Sequence, residues 1–186
     1  PVPRNNTLTI NGNTQIDTSR QKYGSGSILF DGSGDYISVA PGTAGDFVFT
    51  GAFTMEAWFN YDEDTGDASA ALMGNKATSG DSTNFFVLFR NYDRKIQINM
   101  PGLSVGVATT SISADTWHHF ALVRDGSGNG AFFLDGQRTQ SATGLSGNVG
   151  KISQEAIGVG GLADGQIMFN QGGNGWMDDV RVSDVA

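Results

Sequence analysis

The chain has 186 residues and a mass of 19.6 kDa, a length that suits one domain whose core buries roughly 70% of the unfolded chain's surface. Its 27 glycines follow no Gly-x-y period and only 4 prolines accompany them, which excludes collagen; 38% hydrophobic and 10% aromatic residues exclude general disorder. With 11 Lys+Arg against 19 Asp+Glu the net charge is −8, which argues against nucleic acid and anionic lipid as partners and favours cations.

The chain opens Pro1-Val2-Pro3-Arg4, without a Met or the basic-then-apolar stretch of a signal peptide, so a processed protein or a piece of a longer one is expected. Residues 1–7 read as a linker or leader, and 8–186 as one domain. Apolar and polar residues then alternate with period two, and no long stretch keeps a helical period free of glycine and β-branched residues. Strand-like runs fall at 8–10, 27–30, 36–39, 53–61, 85–90, 95–99, 118–124, 131–134, 151–153 and 176–182. Between them sit Asn11-Gly12, Asp31-Gly32, Asp125-Gly126 and Asp135-Gly136, pairs suited to hairpin turns with two positive φ angles. So many short strands at this spacing predict an all-β, two-sheet antiparallel sandwich. No apolar run reaches the roughly 18 residues of a membrane span. With 0 cysteines there is no disulfide or thiolate-metal site, and the redox compartment stays open.

Among the acids only Glu56, Glu63 and Glu155 are glutamate. An aspartate bias suits turns, caps, or a hard cation such as calcium. The polar stretches 62–69 and 163–175 read as loops, where binding residues concentrate. Along 53–61, alternation places Phe53, Met55, Ala57, Phe59 and Tyr61 on one face and Thr54, Glu56, Trp58, Asn60 and Asp62 on the other. A flat ring among carboxylate and amide groups is the composition of a carbohydrate platform; the alternative is that a neighbouring strand or loop covers Trp58. Asp62 and Asp64 beside it, with Asn170 and Asn174 from the far loop, form a candidate rim for hydroxyls or for a second, ligand-bridging calcium, unless both loops are merely solvated. His118 and His119 are adjacent in a strand and face opposite ways, so they cannot chelate one ion together. A histidine bonded to a loop is the better reading, and Trp117 is expected in the core.

Phe30-Asp31-Gly32 followed by Asp35-Tyr36-Ile37, then Phe53-Thr54-Met55-Glu56-Ala57-Trp58-Phe59, then Trp117-His118-His119-Phe120-Ala121-Leu122-Val123-Arg124-Asp125 resemble successive strands of the laminin-G-like, concanavalin A-like jelly-roll domains. Phe133-Leu134-Asp135-Gly136, Ile157-Gly158 and Gly175-Trp176-Met177-Asp178-Asp179-Val180-Arg181-Val182 continue the resemblance in the same order. It extends from about Gly24 to Ala186. The segment from Asn6 to Ile16, leading through Tyr23-Gly24, is similar to leaders of such domains in virion proteins of tailed bacteriophages.

The resemblance implies a two-sheet jelly roll and a structural calcium where the closing strand meets the 30–32 turn. Asp178 is the first expected ligand and Asp31 the second; the alternative is that Asp178 or Asp179 pairs with Arg181 or caps a turn. β-Glucan hydrolases share this scaffold and carry Glu-x-Asp-x-x-Glu on one strand, whereas Glu56 is followed on its face by Trp58 and Asn60, and no Gly-x-Ser-x-Gly elbow is present. No catalytic residue is assigned. The expectation is a non-catalytic lectin-like recognition or adhesion domain of a larger surface or virion protein, extracellular or on a virion, binding a glycan or host receptor. It is expected to insert in no membrane and to form homo-oligomers, if any, through its parent protein. The alternative is a purely structural part: a capsid decoration, a tail or tail-fibre component touching neighbouring subunits, or an adhesin spacer.

Overall fold

Period-two alternation sets the architecture. The computed structural model describes residues 5–62, 69–75, 85–90, 93–101, 103–105, 111–149, 157–159 and 175–185. In chain order the described strands are β1 (Thr7–Asn11), β2 (Gln15–Asp17), β3 (Ser27–Phe30), β4 (Tyr36–Ala40), β5 (Phe53–Tyr61), β6 (Ser69–Gly74), β7 (Phe86–Arg90), β8 (Lys95–Met100), β9 (Leu103–Val105), β10 (His118–Arg124), β11 (Gly130–Leu134), β12 (Gln137–Ala142), β13 (Ile157–Val159) and β14 (Gly175–Ser183). They form two seven-stranded sheets, β1-β4-β13-β6-β7-β8-β9 and β12-β11-β10-β5-β14-β3-β2. Every pairing is antiparallel. The closing strand β14 lies between β5 and β3 in the interior of its sheet, the jelly-roll arrangement expected.

The core sits between the sheets. From β5 it takes Phe53, Met55, Ala57, Phe59 and Tyr61, each no more than 1% exposed, as alternation predicts. Facing them are Val87 and Phe89 of β7 and Ile96, Ile98 and Met100 of β8. The Tyr61 and Phe89 rings meet at 4.1 Å across the gap, and the Tyr61 hydroxyl donates to the Ile112 carbonyl at 2.8 Å. Each buried aromatic contributes about 1.5–3 kcal/mol as an upper estimate.

Three features differ from the sequence reading. Strands β2, β6, β9 and β12 carry no alternating apolar signal: β12 (Gln137–Ala142) is an edge strand formed by its hairpin with β11, and β6 is held by pairing on both sides. Among the four turn pairs only Asp135-Gly136 has two positive φ angles, 50° and 76°. The 11–12 and 31–32 pairs pass between sheets rather than closing hairpins. In the 125–129 turn the positive φ falls on Gly128, because the Asp125 carboxylate accepts from Ser127 N and Asn129 N at 2.8 Å each. Trp117 is half-buried, one residue ahead of β10, rather than in the core. The expected run at 151–153 lies outside the described residues.

Arg124, at the end of β10, is only 2% exposed. Its guanidinium donates to Gly51 O at 2.8 Å, Gly147 O at 2.9 Å and Phe49 O at 2.7 Å, so one side chain ties two connections to the sheet's end. Burial holds its pKa below the usual guanidinium value.

Candidate functional site

The face of β5 turned away from the core carries Thr54, Glu56, Trp58 and Asn60. Cross-strand register sets their neighbours: Trp58 lies opposite His119 of β10 and Asp178 of β14, Glu56 opposite Ala121 and Arg181, and Asn60 opposite Trp176. His119 packs on Trp58 with ring centroids 5.1 Å apart and directs Nε2 to Glu56 Oε2 at 3.3 Å. Arg181 lies 4.0 Å from the other Glu56 oxygen and pairs with Asp179 at 2.8 Å.

That placement depends on a bulge. Between Asp178 and Arg181 the register with β5 gains one residue, and Asp179 there takes a φ of 51°. Simple alternation would turn only one of Asp178 and Asp179 away from the core. The bulge instead leaves Asp178 opposite Trp58 and brings Asp179 onto Arg181.

A second element covers this face. Residues 18–26 join β2 to β3, yet they fold back across β3 and β14 as a strap reaching β5. Asp17 anchors one end, accepting from Ser19 N and from Trp176 Nε1 at 2.8 Å each; these bonds, the Ser19 amide first, lower its pKa. Arg20 donates to Asn60 Oδ1 at 3.1 Å and to Asp115 at 2.8 Å, with its guanidinium 4.2 Å from the Trp176 ring centroid. Asp178 Oδ2 accepts from both Lys22 N and Tyr23 N at 2.9 Å, and Oδ1 from Asp179 N at 2.8 Å. Held in this way, the strap lays the Lys22 ammonium 3.8 Å over the Trp58 ring and sets Tyr23 edge-on to it at 5.9 Å.

The structure therefore gathers Glu56, Trp58 and Asn60, but not as a bare platform. Lys22 occupies the Trp58 ring face, and Asn60 is buried with its carbonyl committed to Arg20. The ring offered outward is Tyr23, 53% exposed. Asp62 follows β5 and is half-buried; Asp64, Asn170 and Asn174 lie outside the described residues. Sequence reasoning missed Lys22, Tyr23 and His119 as parts of this face. The available signal was a basic and aromatic Arg20-Gln21-Lys22-Tyr23 run between strands that needed only a short turn.

The two carboxylates expected to hold calcium do not converge. Asp178 is level with Ser27 of β3, because Met177 pairs with Ile28, whereas Asp31 lies beyond Phe30; four residues of strand separate them by roughly 13 Å. Asp178 already accepts three N–H groups, whose dipoles oppose a cation. Asp31 accepts from Ser33 N at 2.9 Å, and its own amide donates to the buried Asp35 carboxylate at 2.7 Å. As placed, this pair does not fit a resident calcium ion; Asp178 caps the strap and Asp179 pairs with Arg181. Among the described residues no group of three or more His, Cys, Asp or Glu is placed to hold a metal.

His118 faces away from the Trp58 surface, as strand alternation requires. Its Nδ1 meets Asp135 Oδ2 at 2.7 Å, and its Nε2 lies 3.1 Å from the Ser113 carbonyl and 3.4 Å from the Ser113 hydroxyl. This resembles a Ser-His-Asp relay only in composition. The shorter Nε2 contact is with the Ser113 carbonyl, and the hydroxyl lies farther off at 3.4 Å, so the ring does not hold that hydroxyl as it would a nucleophile. Asp135 also accepts from His119 N at 2.8 Å, so the arrangement fastens the β11–β12 hairpin to the start of β10.

Residues 31–186 match the family described as the concanavalin A-like lectin/glucanases superfamily. No curated protein matches the chain in sequence. Among solved structures the chain is similar to the binding domain of Paraclostridial Mosquitocidal Protein 1, with a TM-score of 0.72 and 14% identity over 98% of this chain and 45% of that one. It is also similar to the receptor binding domain of botulinum neurotoxin D, with a TM-score of 0.69 and 15% identity over 97% of this chain and 45% of that one. At such identities the likeness concerns the fold, and the chain spans less than half of those chains.

Proposed function

We propose a non-catalytic recognition function for this chain, which belongs to the concanavalin A-like lectin/glucanases superfamily. The domain works outside the cell or on a particle surface and grips a glycan, carried by a receptor or free, on the strapped face of the β5 sheet. Tyr23 stacks on the sugar's C–H face, and the Lys22 ammonium takes a hydroxyl or acid beside it. The observation that carries this reading is the strap itself: Asp178 fixes two consecutive amides so that an exposed ring and an ammonium stand together over Trp58. The ammonium has no carboxylate partner among the described residues. Rigid aromatic anchors beside an unpaired polar group are how shallow sites gain specificity. Binding, rather than hydrolysis, is further supported by the commitment of Glu56 to His119 and of Asp178 to backbone amides. The folds it resembles are themselves described as binding and receptor binding domains.

A glycan array with wild type, Tyr23→Ala and Trp58→Ala tests the proposal. Binding that disappears in Tyr23→Ala at an unchanged melting temperature supports it, and an array that stays blank for the folded wild type overturns it. One observation favours the second reading, a structural domain that contacts only neighbouring subunits. Leu8 and Ile10 on β1 and Ile16 on β2 are 64%, 64% and 68% exposed, on edge strands joined by the 12–14 turn and uncovered on that side.

A further inference from the structure

At the opposite end of the same sheet, β10, β11 and β12 border a hollow of about 410 Å³ that no residue of the Tyr23–Trp58 face lines. It arises from small side chains around one large ring. Outward positions Val123 and Ala131, together with Ser141 and Ala142 on the edge strand, leave space beside Phe133, where the register with β12 skips Thr139. Phe133 faces outward as a half-buried floor opposite Arg138. Phe133 is level with Ala121 and Glu56, so it stands two strands across and two residues along from Trp58, roughly 12 Å at about 4.8 Å per strand and about 3.3 Å per residue, and this is a separate place on the sheet.

The polar groups around the hollow are unequal. Asp125 is spent locally, accepting from Ser127 N, Asn129 N and Asn129 Nδ2 at 2.8 Å each. Arg138, Ser141 and Thr143 make no side-chain hydrogen bond or ion pair among the described residues. An uncommitted guanidinium at one end of an aromatic-floored hollow, on a chain of net charge −8, selects an anion there. We infer that this hollow is a second ligand site, taking an acidic sugar residue. The sugar's carboxylate forms a forked pair with Arg138, its ring lies on Phe133, and its hydroxyls reach Ser141 and Thr143. The inference goes beyond the Tyr23–Trp58 face and does not depend on it.

The test is amide-resolved NMR titration of the domain with glucuronate and, separately, with glucose. Expected are saturable shifts at Ala131, Phe133 and Ser141 with glucuronate and about tenfold weaker binding of glucose, the discrimination of one charge-assisted pair. Arg138→Gln, at an exposed position with no side-chain partner among the described residues, removes the preference without changing the melting temperature; Phe133→Leu weakens both sugars; Tyr23→Ala leaves the hollow's response intact. Equal binding of glucose overturns the acidic class. Shifts confined to 18–26 and Trp58 overturn the second site and leave the recognition proposal standing. No shift with either sugar also overturns the inference, and the glycan array then judges the other face separately.

Discussion

Replacing Asp178 by alanine isolates the bond that makes the binding face. Its carboxylate accepts Lys22 N, Tyr23 N and Asp179 N, and two of these donors belong to the strap. A charge-assisted hydrogen bond is worth about 1.5–3 kcal/mol when protected from water, and less where the freed amide can turn to solvent, as at exposed Tyr23. Two such bonds at that discount total about 2–3 kcal/mol. In a domain of this size each kcal/mol moves Tm by about 2–4 °C, so Asp178→Ala is expected to melt about 4–12 °C below wild type. Asp178→Asn, which keeps one acceptor oxygen, falls between. Scanning calorimetry with and without EDTA reads both the loss and its cause: the wild-type Tm is expected to be indifferent to chelator, because the oxygens face N–H groups. A loss under about 1 °C in Asp178→Ala refutes the clamp. A wild type that EDTA lowers to the mutant's Tm, with the mutant unaffected, would show the carboxylate serving a cation instead.

Three further outcomes are expected. Arg124→Met strips three carbonyls of their donor and is expected to cost about 3–5 kcal/mol in urea denaturation, with Arg124→Lys recovering part; a cost below about 1 kcal/mol would mean water replaces the guanidinium. Gly136→Ala forces a Cβ onto a φ of 76° and is expected to destabilise by about 1–2 kcal/mol, whereas Gly126→Ala, where φ is not positive, costs less; equal costs would contradict the turn geometry. The pKa values of Asp17 and Asp125 are lowered from 3.8 by hydrogen bonds, first from Ser19 and from Asn129 respectively. A folded pKa below the unfolded one gives stability that is present above about pH 4 and is lost as pH falls through the folded value. Acid titration followed by circular dichroism should show that loss shallower in Asp17→Asn and Asp125→Asn; identical acid limbs in wild type and both variants would refute it.

The division between what could and could not be read along the chain follows the range of the forces involved. Alternation is local, so the inward set Phe53, Met55, Ala57, Phe59 and Tyr61 was legible, as were β5, β10 and β14, whose side chains must partition between core and exterior. Strands with no side chain to bury, such as β12, gave no such signal; pairing formed them. The same limit explains the turns: Asp125 moved the positive φ to Gly128 by capping amides two and four residues on, a competition that dipeptide preference does not record. Trp58 was legible as outward-facing, but not as covered.

By itself, then, the order of residues determined an all-β sandwich, its core and the face on which recognition chemistry collects, because burial and pleat act between near neighbours. Only the tertiary structure decided which groups remain available on that face. It placed a bulge at Asp179, used Asp178 to hold amides 156 and 155 residues away, laid Lys22 on Trp58, and left the Tyr23 ring exposed and the Arg138 guanidinium without a partner among the described residues. Hydrogen bonds across such separations depend on which strands lie side by side, and the β5-β14-β3-β2 order that joins them exists only once the sheet has closed.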